Sequence, residues 1–226
     1  MGDFEYMIFL IVILTIPAIA QAVISVRYKR YSEVDNVANL SGFEVARKIL
    51  DANGLKDMDI VAVSGTLTDH YDPSRKVVRL SQSNFDGKSI SAMAVAAHEC
   101  GHAIQDKEGY TMMRFRSLIV PVVKIATTFS YIIITIGLIF EILNLMYIGI
   151  GFTCFGLLFQ IITLPVEFNA SSRAKKQITQ LGLSTPDEDS GVRKVLSAAA
   201  MTYVAGVLTS LLQILRYVLM FTGRRD

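Results

Sequence analysis

The stretch VAAHECGHAIQ, residues 95–105, contains two of the chain's three histidines. His98 and His102 are four residues apart, within a segment, residues 89–106, that lacks proline and is rich in alanine. Such a composition favours a helix. Because positions i and i+4 share one helix face, we predict that both imidazoles project from the same side. Gly101 costs about 1 kcal/mol relative to alanine in a helix, which a close approach of metal, substrate or another backbone would explain.

Paired imidazoles suit a zinc ion (Zn²⁺), which accepts histidine nitrogens at about 2.0–2.1 Å. Glu99 lies one position further round the helix, where its carboxylate can act on water as a general base. This is the H-E-x-x-H pattern of zinc metalloproteases. The alternative is a chance triplet on an ordinary core helix. The helical context favours the metal site, so we predict His98 and His102 as ligands and Glu99 as a catalytic residue.

A catalytic zinc site needs a third protein ligand and an open fourth position. No histidine follows His102, so we expect a carboxylate from another element. Glu167 is the best candidate, because it stands close to Pro165 at the end of an apolar run, where a charge is expensive without a partner. The alternative for this residue is an interfacial glutamate that reaches the water. Weaker ligand candidates are Glu108, Asp106 and the acidic residues 187–189.

Four long apolar runs indicate membrane helices, since a helix needs roughly 20 apolar residues to cross a bilayer. The uncharged runs are residues 7–26, 125–140, 142–166 and 197–215. No basic residue precedes the first run, unlike in a signal peptide, so we predict an uncleaved anchor. Arg27, Lys29 and Arg30 follow this anchor. The positive-inside rule then places the N-terminus outside and the following polar region in the cytosol.

The polar region has signals for a mixed domain. Residues 41–44 read as a capping box that opens an amphipathic helix. Residues 60–63 and 76–81 have strand composition, and we expect the second strand to be free to pair with a substrate backbone. Residues 66–75 and 183–191 are predicted as loops.

We therefore predict a mostly α integral membrane protein with about four transmembrane helices and a small cytosolic α+β zincin-like domain that carries the motif helix. The predicted segments are an N-terminal anchor at residues 1–26, the cytosolic domain at 27–117, a transmembrane hairpin at 118–166, a cytosolic helix and loop with the third ligand at 167–195, and a C-terminal transmembrane helix at 196–226. The orientation of that last helix stays open.

Five segments together resemble the YugP-like neutral zinc metallopeptidases of bacterial membranes: HECGHAIQ, LTDHYDP, VVRLS, LPVEF and LSAAAMTYVA. That family more distantly resembles the HtpX and CAAX prenyl endopeptidases, gluzincins that take a third zinc ligand from a glutamate in an E-x-x-A-D-like segment. The resemblance implies Glu167 as this ligand. Ser171 stands where the aspartate would be, which puts the support that this aspartate gives the site in doubt but leaves the ligand set unchanged. Asn169 is a candidate to orient a histidine by hydrogen bonding.

The third histidine is a further candidate catalytic residue. A transition-state oxyanion needs a donor besides the metal, and His70 or its neighbour Tyr71 could supply one. The alternative is an ordinary polar loop histidine.

The sequence thus predicts a multi-pass cell-membrane zinc endopeptidase whose active site faces the cytosol. Its expected partners are a protein or peptide substrate and the lipid bilayer, and its oligomeric state is not predicted. A zinc-binding scaffold without proteolytic activity is the alternative, although such a site has no need of Glu99. A transporter is disfavoured, because the charges lie at the helix ends. A net charge of +2 without a basic patch gives no support for nucleic-acid binding.

Overall fold

The computed structural model describes residues 3–222, which are mostly helical. The elements are α1 (Asp3–Ser32), α2 (Gly42–Ala52), β1 (Asp59–Val63), β2 (His70–Asp72), β3 (Val77–Ser81), α3 (Gln82–Asp86), α4 (Ile90–Lys107), α5 (Thr111–Ile139), α6 (Leu143–Gln180) and α7 (Pro186–Thr222). The chain forms two compact units. The apolar helical unit comprises residues 3–21, 114–165 and 202–222, and the α+β unit comprises Ala22–Met113 and Val166–Met201.

The prediction of four membrane-length helices is confirmed. α1, α5, α6 and α7 each contain a stretch long and apolar enough to cross a bilayer. Many apolar side chains of these helices are exposed, including Leu14, Leu118 and Ile139, each more than two-thirds accessible. Faces of this size and composition are the ones that lipid covers.

α6 continues without a break through Pro165. One predicted boundary differs from the structure. α7 already begins at Pro186, within the predicted loop. The reason is a capping box that sequence reading overlooked: Thr185 N donates to Glu188 Oε2 at 2.8 Å, and Glu188 N donates to Thr185 Oγ1 at 3.4 Å. Proline at the first helical position reinforces this start.

The sheet of the α+β unit has the order β1-β3-β2. β1 runs parallel to β3, with Asp59 opposite Val77, and β2 runs antiparallel, with Tyr71 opposite Val78. The expectation that residues 76–81 are free for a substrate backbone is therefore wrong, because β3 is the central strand and is paired on both sides. β2 was missed because it is only three residues long and lies in a segment rich in turn residues.

The core of the α+β unit surrounds α4, which is buried over almost its whole length. The predicted capping box begins α2: Glu44 N donates to Ser41 Oγ at 3.2 Å, and Ser41 N donates to Glu44 Oε2 at 2.8 Å. The apolar face of α2 and small or aliphatic side chains of α6 pack in the same core as α4. A helix buried on all sides needs small residues wherever a second backbone comes near.

Gly101 marks a close approach of α4 to α6. A Cβ atom built on Gly101 would lie 2.5 Å from the carbonyl oxygen of Ala170. Of the three explanations that the sequence left open for this glycine, the structure selects another backbone.

We expect Gly101→Ala to destabilise the α+β unit. The added methyl meets a backbone oxygen that cannot rotate away, and overpacking of this kind costs about 1–3 kcal/mol. Gly151→Ala is the matched control, because Gly151 is also helical and its Cβ would meet nothing within 4 Å. The measurement is the apparent melting temperature in detergent. An equal melting temperature for both variants would contradict the close packing of α4 and α6.

Candidate metal centre

His98, His102 and Glu167 form the candidate metal centre. All three side chains are buried, and one ligand atom from each lies within 4.8 Å of the others. Glu167 Oε2 lies 3.3 Å from His98 Nε2 and 3.6 Å from His102 Nε2. The two imidazoles are nearly perpendicular, with an angle of 85° between their planes. The i, i+4 spacing on α4 brings the histidines together, and α6 supplies the carboxylate from 65 positions further along the chain.

The donor set and its spacing fit a zinc ion. Two ligand atoms about 2.1 Å from one tetrahedral zinc are roughly 3.4 Å apart, which agrees with the 3.3 and 3.6 Å distances from Glu167 Oε2 to the two imidazoles. Two neutral nitrogens and one carboxylate oxygen are also a donor set of catalytic zinc sites, in which a fourth position stays open.

His98 is oriented by the serine that replaces the expected aspartate. Ser171 Oγ lies 3.2 Å from His98 Nδ1. When this hydroxyl accepts a hydrogen bond from Nδ1–H, the lone pair of Nε2 is directed toward Glu167 and the ligand group. The serine hydroxyl therefore supports the histidine in the way that was expected of an aspartate at this position.

His102 is oriented by Gln105, a residue that sequence reasoning missed. His102 Nδ1–H donates to Gln105 Oε1 at 3.0 Å. The Gln105 amide nitrogen in turn donates to Val166 O at 2.8 Å and to Asn169 Oδ1 at 2.9 Å. Gln105 is fully buried. Its hydrogen bonds connect one ligand, His102, to the backbone immediately before another ligand, Glu167. The available signal was its position three residues after His102, on the same helix face.

Asn169 acts through Gln105. Among the hydrogen bonds of the described residues, its Oδ1 accepts from Gln105 and from Arg173 Nε, the latter at 2.7 Å, and not from a histidine. Arg173 also pairs with Glu108 at 2.7 Å. The result is a polar connection between α4 and α6 beside the ligands.

The weaker candidates for the third ligand have other partners. Glu108 pairs with Arg173. Asp106 accepts hydrogen bonds from Tyr71 and Lys76. The acidic residues 187–189 lie in the first turn of α7, where negative charge complements the helix dipole. Among the described residues, Glu167 is the carboxylate that joins the histidines.

Electrostatics favour a positive ion at this centre. Burial of His102 opposes its protonation, yet its hydrogen bond with Glu167 and the nearby charge of Glu99 together raise the pKa of the imidazole above its ordinary value. The negative charges that raise this pKa also attract a zinc ion, and zinc binding requires the neutral imidazole.

Glu99 is buried beside the ligands and lines a pocket together with His98. Among the residues that the structure describes, none donates a hydrogen bond to its carboxylate. Its oxygens are therefore free to accept a proton from a molecule in that pocket.

The structure does not bring His70 or Tyr71 to this centre. His70 is exposed on β2, and its Nδ1 bonds to Thr68 O at 2.8 Å. The Tyr71 hydroxyl donates to Asp106 Oδ2 at 2.6 Å, and burial together with this carboxylate raises its pKa. The predicted role of His70 as an oxyanion donor stays a prediction that this geometry does not support.

We expect Gln105→Met to weaken zinc binding. The substitution keeps an unbranched side chain of similar length but removes the acceptor for His102 Nδ1–H, and loss of such a partner typically lowers metal affinity about 10–100-fold. Gln180→Met, at an exposed position on α6, is the control. Competition with a chromophoric chelator measures both. Equal affinities in the two variants would show that Gln105 does not position His102.

Comparison with known proteins identifies the family of the chain. Residues 6–222 match the family described as "Putative neutral zinc metallopeptidase". The chain is 47% identical over 222 residues to a protein of Bacillus subtilis (strain 168) named "Putative membrane protease YugP", covering 96% of this chain and 99% of that protein. No solved structure shows significant similarity. Because the match extends over nearly the whole sequence, the chain belongs to the family that bears this zinc metallopeptidase description.

Proposed function

We propose that this protein is a zinc-dependent endopeptidase of the cell membrane that hydrolyses peptide bonds in membrane or membrane-proximal proteins. The observation that carries the proposal is the buried carboxylate of Glu99 next to the group of His98, His102 and Glu167. A site that only held zinc for stability would have no need of an unpaired, buried acid beside it.

The proposed chemistry divides between the ion and the chain. Bound zinc supplies a Lewis acid that polarises a peptide carbonyl and makes water more acidic. Glu99 accepts a proton from the attacking water and later gives it to the departing amine, as a general base and then a general acid. His98, His102 and Glu167 hold the ion, and Ser171 and Gln105 keep the two imidazoles in the orientation that binding requires.

The proposed location follows from charge and chain continuity. Glu167 comes directly after the apolar residues 142–166 on one unbroken helix, so its ligand group is expected near the bilayer surface. Arg27, Lys29 and Arg30 follow the apolar part of α1, which favours the cytosol for this surface. Peptide bonds in or beside the membrane are the substrates that such a centre can reach.

We expect Glu99→Gln to retain zinc and lose cleavage. The change keeps the size of the side chain but removes the base, and general-base losses are typically 10²–10⁴-fold. Zinc content by elemental analysis and cleavage of a fluorogenic casein and peptide panel are measured on the same samples. Glu33→Gln, an exposed residue outside the centre, is the matched control and is expected to keep both. His98→Ala removes a ligand and is expected to lose both.

Three results would contradict this function. Cleavage at the parental rate by Glu99→Gln would show that Glu99 is not the general base. A Glu167→Ala variant that binds zinc with unchanged affinity would show that Glu167 is not the third ligand. A parent protein that holds one zinc but cleaves nothing across the panel would favour a zinc-binding scaffold without proteolytic activity.

Cysteine labelling tests the orientation. In a Cys154→Ser background, which removes the exposed native thiol, we expect Ser64→Cys to resist a membrane-impermeant maleimide in intact cells, because it lies on the predicted cytosolic side. Asn144→Cys, beside the short connection between α5 and α6, is expected to react. Labelling of Ser64→Cys in intact cells would reverse the topology.

A further inference from the structure

We propose that the pocket beside Glu99 is a specificity subsite that receives one uncharged aliphatic or small aromatic side chain of the substrate, from a residue that flanks the scissile bond. This inference rests on the proposed peptidase function. Three segments form the pocket: the chain just before β2, with Leu67 and Asp69; the motif helix α4; and Val195 and Leu196 of α7.

The size of the pocket suits one side chain. Its volume is about 130 Å³, and an apolar cavity of roughly 150 Å³ in a protein core holds a benzene molecule. The space is therefore sufficient for a leucine, isoleucine, methionine or phenylalanine side chain, and too small for a longer stretch of peptide.

The lining of the pocket is apolar where it meets a ligand. Leu67, Val95, Val195 and Leu196 contribute aliphatic surface. The carboxylate of Asp69 is already used: it accepts hydrogen bonds from Ser81 N at 2.7 Å, from the Ser81 hydroxyl and from the Asn84 amide at 3.0 Å. An apolar occupant therefore leaves no polar wall group without its partner.

Charge excludes other occupants. Glu99 is the carboxylate that remains available in this pocket, so an acidic side chain is repelled. A basic side chain would form an ion pair with Glu99 and occupy the carboxylate that the proposed reaction requires. An uncharged side chain avoids both effects, and it also excludes water from the base.

The position of the pocket determines which substrate residue places its side chain there. Two of its lining residues, His98 and Glu99, are the first ligand and the base of the proposed reaction. A side chain that contacts both must belong to a residue adjacent to the bond that is cleaved.

Leu67 supports a functional role for the pocket. Its backbone has φ of 56°, a left-handed conformation that is uncommon for residues other than glycine. Its side chain is 40% exposed, so burial in the core does not explain the conformation. Backbone conformations of this kind occur in turns and at ligand-binding sites, and Leu67 is a pocket-lining residue that adopts one.

The test uses two substitutions with opposite effects. Val95→Phe narrows the pocket from a partly buried position on α4, and Leu67→Ala widens it from an exposed one. Val37→Phe is the control for Val95→Phe, because Val37 is 72% exposed and is not part of the lining. Zinc content is measured for every variant, so that a change in the metal centre is recognised.

The first readout is the cleavage profile of a randomised peptide library. The parent is expected to prefer leucine, isoleucine, methionine or phenylalanine at one position next to the cleaved bond. Val95→Phe should shift this preference to alanine or glycine by roughly 10-fold or more, since one methylene in a hydrophobic pocket changes discrimination by about that factor. Leu67→Ala should shift it toward larger side chains, and Val37→Phe should leave it unchanged.

The second readout does not depend on cleavage. Short peptides that carry photoleucine, a diazirine analogue of leucine, are irradiated with the zinc-loaded Glu99→Gln protein, and crosslinks are located by mass spectrometry. We expect crosslinks at Leu67, Val195 or Leu196. These crosslinks support the subsite if they disappear when Val95→Phe is introduced into the same Glu99→Gln protein. If the parent cleaves no peptide, the peptidase function fails, and this readout still decides the pocket.

Two outcomes would overturn the proposal. One is a cleavage profile that does not change in either pocket variant while zinc content is retained. The other is a set of photoleucine crosslinks that lies outside the pocket or is unaffected by Val95→Phe.

Discussion

The close packing of α4 against α6 at Gly101 is the constraint on which the site depends. The carbonyl oxygen of Ala170 occupies the space that a side chain at Gly101 would fill, so the two helix axes can approach at this point. Glu167 lies one turn before Ala170 on α6, and His98 and His102 lie on either side of Gly101 on α4. One glycine thus brings the carboxylate of α6 within 3.3–3.6 Å of both imidazoles. A larger residue would separate the ligands that define the centre.

The polar contacts around the ligands reinforce the same packing. Ser171 reaches His98 from α6, and Gln105 reaches from α4 to Val166 O and Asn169. Each contact orients a ligand and joins the two helices, so metal geometry and helix packing are linked. This arrangement also explains how the centre can do without the aspartate of the E-x-x-A-D-like pattern: the hydroxyl of Ser171 is near enough to His98 Nδ1 to serve as acceptor, at a distance of 3.2 Å.

The α+β unit contains both this centre and an apolar pocket. His98 belongs to the centre and to the pocket: its Nε2 lies next to Glu167, and the residue also lines the pocket. Glu99 lines the pocket together with Val195 and Leu196 of α7 and with Leu67 of the segment before β2. A substrate side chain in the pocket would therefore remove water from the base at the same time as it positions the bond, and low polarity strengthens every charge interaction there.

The sequence by itself determined the features that depend on local spacing. The four membrane-length helices follow from apolar length, the α2 capping box from Ser41 and Glu44, and the paired histidines from the i, i+4 period of a helix. Glu167 was predicted as the third ligand from its place at the end of an apolar run, and the structure brings it to the histidines. Tertiary structure alone decided other long-range features: that Gln105 and Ser171 orient the histidines, that β3 is central, and that His70 lies elsewhere. The physical reason is that periodicity reports which face a residue occupies, whereas the partner of that face is set by packing between elements many residues apart.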